Sequence, residues 1–194
     1  MGMLYNKFDA LPYIPYKIVE KLATSNNENL WKALYYDDYK CLSNKDLTFD
    51  EKINLIWKNQ SDEENYRVFL KPLVSNAITS KTTQIRIYNI ATKPISRYKA
   101  VSLYAFAIIT NDKIALIEEG GVPIPRIDYI KQQIIKELNG KFLGLDGTTN
   151  FEYNKEIDRE MQDRLSISNS QSFYGDLLIM GTTISNLGTD GCGN

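Results

Sequence analysis

Val101-Ser102-Leu103-Tyr104-Ala105-Phe106-Ala107-Ile108-Ile109 decides how this chain folds. In an extended strand successive side chains point to opposite sides, so Val101, Leu103, Ala105, Ala107 and Ile109 share one face and Tyr104, Phe106 and Ile108 the other. Both faces are apolar, so the strand must be covered twice, as in the interior of a sheet. One cover is assigned to the chain's own helix, the other to N-terminal helices or a neighbouring subunit.

Downstream, Asn111-Asp112 is a turn signal, Lys113 to Ile117 suggests a further strand ended by Glu118-Glu119-Gly120-Gly121, and Pro123 and Pro125 lead into a helix. There Ile127, Ile130, Ile134 and Leu138 form an apolar stripe, and Asn139-Gly140 stops it. Gly144 to Gln171 reads as a long polar excursion with at most a short helix over Ile157, Met161 and Leu165. Ser172 to Met180 is a last strand, with Gly175 expected at a bulge or a close approach.

Upstream, Gln84 to Ile90 alternates as a strand, and Tyr66 to Leu70 is a short one closed by Pro72. Pro15 to Leu34 predicts short helices, with Asn26-Asn27 as break and N-cap. Thr48 and Glu51 form a capping box for a third helix, which Phe49, Ile53, Ile56 and Trp57 would line before it ends near Lys58-Asn59. Gln60 to Asn65 is polar and reads as a loop. The fold class is therefore α+β: an antiparallel or mixed β-sheet packed by one long helix, preceded by a small N-terminal helical region. The domain reading is 1–65 helical region, 66–187 α+β domain, and 188–194 flexible Gly-rich tail.

The 194 residues contain no histidine, which removes the commonest general base and metal ligand. Lys and Arg total 23 against 24 Asp and Glu, so a net charge of −1 gives no global attraction to nucleic acid or anionic lipid. No apolar run of about 18 residues occurs, the start lacks a signal-peptide core, and Asn6 argues against myristoylation; a soluble protein made in a cytoplasm is expected. Two cysteines, Cys41 and Cys192, make no disulfide framework.

Acidic groups at Asp62-Glu63-Glu64, Glu118-Glu119 and Glu156/Asp158/Glu160/Asp163 could hold Mg²⁺, but Arg159 and Arg164 interleave the last and favour an ion-paired surface. Asp38-Tyr39-Lys40 matches a nuclease D/E-x-K tripeptide in form yet follows a helix. The glycines at 120–121 and 144–147 read as turns. Tyr13, Tyr16, Tyr35, Tyr36, Tyr39, Tyr66, Tyr88, Tyr98, Tyr104 and both Trp could stack bases, though packing in a core or interface is the better account without a basic stripe. No catalytic, cofactor-binding or metal residue is assigned.

The order of strand Val101 to Ile109, turn Asn111-Asp112, helix Arg126 to Leu138, Phe142-Leu143-Gly144-Leu145, a variable loop and Phe173-Tyr174-Gly175-Asp176-Leu177 resembles the tail-terminator and head–tail joining proteins of tailed bacteriophages. Asn29-Leu30-Trp31-Lys32-Ala33-Leu34, then Leu47 to Lys52 and Ile56-Trp57, is similar to the helical prefaces of phage neck proteins. The likeness spans residues 28–180 and rests on packing patterns. It implies a non-enzymatic structural protein of the virion, assembled in the host cytoplasm. It further implies a hexameric or dodecameric homo-oligomeric ring between portal or connector and tail proteins, through which DNA passes without specific recognition and which no membrane touches. Loops Lys93 to Ala100 and Gly144 to Gln171 would dock onto adjacent rings, so deleting Asp146 to Ser166 is expected to spare the fold and abolish joining. The alternatives are a metal-dependent hydrolase using the acidic clusters, or a small monomeric regulatory binding module.

Overall fold

In a computed structural model of the chain, residues 11–59, 63–72, 81–96, 99–144, 148–164 and 172–185 are described. Helix α1 (Ile14–Thr24) buries Ile14, Ile18, Val19, Leu22 and Ala23 along one side. The Asn27 side-chain amide oxygen, Oδ1, accepts the Leu30 N–H and caps α2 (Glu28–Tyr35), which buries Leu30, Trp31, Ala33 and Leu34. At α3 (Phe49–Asn54) the Thr48 hydroxyl accepts the Glu51 N–H at 3.3 Å and the Glu51 carboxylate accepts the Thr48 N–H at 2.7 Å, closing the capping box.

This third helix stops sooner than its apolar spacing predicts. Strand β1 (Val68–Phe69) claims the following backbone: the Leu55 carbonyl accepts N–H groups of Arg67 and Val68, and the Trp57 N–H donates to Val68 O. Chain that bonds to a strand cannot continue the helical ladder. Phe49 is consequently exposed, and Lys52, Leu55 and Ile56 point inward instead.

Strand β2 (Thr83–Ser96) and strand β3 (Lys99–Asn111) form a long hairpin. Then come β4 (Leu116–Glu119), β5 (Val122–Pro125), α4 (Arg126–Leu138), β6 (Glu152–Tyr153), α5 (Lys155–Arg164) and β7 (Phe173–Ser185). The main sheet has the order β1-β2-β3-β7-β6, with β1 parallel to β2 and every other neighbour antiparallel. The architecture is α+β with a mixed sheet and a small N-terminal helical region.

Pairing of β3 with β7 is unbroken from Lys99↔Ser185 to Asn111↔Phe173. Gly175 therefore stands in register opposite Ile109, with no bulge there; the irregularities fall between β2 and β3, at Asn89/Ala91 and Pro94/Ser96. The segment Lys93 to Ala100, read from sequence as a loop, continues both strands as far as it is described.

β4 and β5 form a separate two-stranded hairpin that the prolines concealed. Glu119 pairs with Val122, so the turn is Gly120-Gly121, and φ of 58° and 85° at the two glycines matches the left-handed turn that suits strand twist. Pro123 and Pro125 are tolerated because a two-stranded sheet consists of edges.

The two faces of β3 are covered unequally. Tyr104, Phe106 and Ile108 join Ile85, Ile87, Leu178, Met180 and Ile184 in a cluster with the inward residues of α1, α2 and α4. The N-terminal helices thus share a side with α4 rather than covering the opposite one. All four stripe residues of α4 are buried, and Gly140, at φ 72°, follows its end. On the other face Ala105, Ala107, Leu177 and Ile179 form a smaller cluster with Tyr88, Ile90, Leu103 and Ile157 of α5.

Part of the long polar excursion is therefore structural. Phe151 is fully buried, 5.7 Å from the Tyr104 ring centre, and β6 pairs with Gly181 and Met180. Removing Asp146 to Ser166 would excise a core aromatic and one sheet edge, which overturns the expectation that the fold survives that deletion. The tail 188–194 and Cys192 lie outside the described residues.

Candidate functional site

Carboxylates are scattered rather than convergent. Glu63 is buried and bonds Lys71 at 2.9 Å, Glu64 is exposed, and Asp62 lies outside the described residues. Glu119 and Glu156 are exposed, and the side chains of Glu160 and Asp163 are outside those described. Among the described residues no group of three His, Cys, Asp or Glu could hold a metal ion. Asp38-Tyr39-Lys40 lies in the connection after α2, not on a strand, and Asp38 accepts the Asn44 amide N–H at 2.8 Å.

Buried charge holds the architecture instead. Arg126, with no exposed surface, donates through Nε to Ile114 O at 2.8 Å and through Nη1 to Ala33 O and Tyr36 O, both at 2.8 Å. Its Nη2 donates to Asp38 O at 2.7 Å. Ala33 and Tyr36 are at the end of α2, where carbonyls lack helical partners and carry the negative end of the helix dipole. One guanidinium therefore fastens α2 and the chain after it to the start of α4. Arg126 was legible in the sequence only as a helix-start residue.

Beside it Asp37 accepts from Arg67 Nη2 at 3.2 Å. Burial raises the Asp37 carboxyl above its ordinary value although Arg67 and Arg126 pull the other way, and its Oδ1 atom has no hydrogen-bond partner. The Cys41 thiol, fully buried nearby, is pushed up by the same desolvation, which makes it inert rather than nucleophilic. This constellation anchors α2 and the chain after it to the start of α4.

The tyrosines divide. Tyr104 is in the core and Trp31 donates to Leu22 O at 3.0 Å, whereas Tyr13, Tyr16, Tyr35 and Tyr39 are exposed; Tyr98 is outside the described residues. Exposed and buried rings do not make a stacking platform.

Two surface features remain. The first is the end of the β2–β3 hairpin, an arm exposed from Thr92 to Ser96 and at Lys99, with Ile95 at 62 % exposure. Lys93 and Lys99 have no ion-pair partner among the described residues.

The second is a groove of about 190 Å³ where the smaller apolar cluster meets the segment from Thr149 to Ile157. Val101, Leu103, Ile157, Ile179 and Met180 supply its apolar lining, and Glu152 and Asn154 stand among its polar residues. Its walls are fixed by two devices. Asp158 Oδ1 accepts the Ile179 N–H at 2.7 Å while Asp158 Oδ2 accepts the Tyr153 hydroxyl at 3.1 Å, clamping α5 to β7. Gly181 lets Leu103 lie across the sheet, since a Cβ there would come within 2.9 Å of Leu103 Cδ2. Sequence reading placed a polar excursion with at most a short helix here, and α5 supplies that helix over Ile157 and Met161; the groove itself was missed, and the apolar Phe151 and Ile157 were the available signal.

The sequence model of the YomW family matches residues 27–179, well over half of the chain, and the chain belongs to that family. No curated protein and no solved structure matches it.

Proposed function

We propose that this member of the YomW family is a structural protein of a tailed-bacteriophage virion. In this reading it is a neck or tail-terminator subunit that forms a homo-oligomeric ring joining the capsid portal or connector to the tail. The observation that carries the reading is the β2–β3 arm: a pair of strands runs out of a covered core and presents Lys93, Pro94, Ile95, Ser96 and Lys99 to solvent. An apolar side chain held out in solvent on paired strands is suited to contact with another protein.

The mechanism is geometric. The sheet with α1, α2 and α4 forms the body of the subunit, and the arm and the surface from Thr149 to Ile157 make contacts. A ring of this kind repeats one heterologous contact until it closes. A net charge near zero allows DNA to pass without being held. Mass measurement of the purified chain across concentrations, with negative-stain imaging, tests it. A hexamer or dodecamer with an open centre is the expected result; a strict monomer that also fails to bind isolated portal–connector and tail assemblies overturns it.

A further inference from the structure

We infer that the groove beside β7 receives the β2–β3 arm of a second copy of this chain, with Ile95 entering it. This deepens the ring reading, and rests on its premise that the chain self-associates.

The two surfaces match in shape and charge. The arm offers one strongly exposed aliphatic side chain, Ile95, flanked by Lys93 and Lys99, and its described residues from Ala91 to Ser96 contain no acid. The groove offers an apolar lining from Val101, Leu103, Ile157, Ile179 and Met180 and, as the one charged lining residue among those described, Glu152. Glu152 is exposed and has no ion pair among the described residues, and next to the groove Lys155 and Glu156 offset each other. A volume of about 190 Å³ accommodates an isoleucine side chain with room to spare.

Simple strand addition along β2 is disfavoured as the mode of contact. Pro94 has no N–H to give, and the ladder is irregular at Asn89/Ala91 and again at Pro94/Ser96, both standard guards of a sheet edge. The arm therefore engages through side chains. An arm-in-groove contact can close as a reciprocal exchange in a two-fold dimer or propagate from copy to copy; the ring reading takes the second, with the arm of each copy entering the groove of the next.

The test uses the full chain with a photo-crosslinking amino acid at Ile95, made as an equal mixture of ¹⁴N and ¹⁵N protein, with mass spectrometry separating links between copies from links within one. The expected product joins position 95 of one isotope to peptides covering Thr149 to Ile157 or Ile179 to Thr183 of the other. In parallel, Ile95→Asp, at an exposed position that the core does not need, is expected to raise the concentration for half-assembly about tenfold or more. Glu152→Lys is expected to weaken assembly, and Lys93→Glu in the same chain to restore part of it. An oligomer whose links map elsewhere, and which Ile95→Asp leaves unchanged, overturns the arm-in-groove contact and spares the ring. A chain that stays monomeric at every concentration overturns the contact; whether the virion reading falls too is then decided by binding to portal–connector and tail assemblies.

Discussion

The Asp158 carboxylate accepts the backbone N–H of Ile179 at 2.7 Å, so a residue of α5 satisfies the outer edge of β7 where β6 has ended. The same carboxylate holds the Tyr153 hydroxyl. With Asp158 at 5 % exposure, these bonds are made out of water.

Asp158→Ala leaves a buried N–H without an acceptor and is expected to cost roughly 1–3 kcal/mol. Asp158→Asn keeps an acceptor oxygen and should cost less. Urea denaturation gives the energies, and faster hydrogen exchange at Ile179 in the alanine variant locates the effect; equal exchange in all three proteins would contradict the clamp.

Arg126→Lys is expected to destabilise the chain by about 3 kcal/mol, because a single ammonium cannot reach all four carbonyls and leaves buried acceptors unpaired. Thermal or urea unfolding measures it. A variant as stable as the parent would mean that α2 is held by its apolar contacts alone.

Gly181→Ala places a methyl 2.9 Å from Leu103 Cδ2 and 3.3 Å from Ser102 O, an overpacking cost of about 1–3 kcal/mol. Leu103→Ala in the same chain is expected to recover part of that loss, since it removes the closer contact. A double variant no better than the sum of its singles would show that the backbone carbonyl of Ser102 sets the cost.

At α3, the Thr48 backbone N–H, followed by its hydroxyl contact, lowers the Glu51 carboxyl below its ordinary 4.5. A depressed folded-state value means that the contribution is present above the unfolded value and disappears as pH falls from about 4.5 through the lower folded one. Glu51→Gln should therefore lack this part of the acid-side loss of stability. Melting temperatures of the two proteins measured from neutral pH downward are expected to converge; parallel curves would refute the assignment.

Phe151→Ala is expected to cost about 3–5 kcal/mol, the range for truncating a buried aromatic. Far-ultraviolet circular dichroism with denaturant titration checks it, and a near-neutral result would mean that the segment before α5 is an accessory to the fold.

Sequence reading succeeded where one periodicity ruled. Ile127, Ile130, Ile134 and Leu138 are all buried, and the alternation from Val101 to Ile109 separates the two clusters as the pleat demands. It failed where long-range partners overruled local pattern. Ile56 and Trp57 fit a helix stripe, but β1 took their backbone; Pro123 and Pro125 disguised a strand that needed no further neighbour. Buried polar anchors were the least visible. An arginine at a helix start and an aspartate in a charged run look solvated until carbonyls or a strand edge from distant segments arrive beside them, as they do at Arg126 and Asp158. The groove was hidden for the same reason, being assembled from β3, β7, the start of α5 and the segment before it.

The uninterrupted pairing of β3 with β7 from Lys99↔Ser185 to Asn111↔Phe173 also governs how the molecule carries load. Antiparallel strands pulled apart along their own length resist in shear, with every cross-strand bond sharing the tension, whereas strands pulled sideways unzip one bond at a time. Shear along the strands is therefore shared over an unbroken ladder at the centre of this sheet, whereas the β2–β3 ladder is interrupted at Asn89/Ala91 and, within the arm, at Pro94/Ser96.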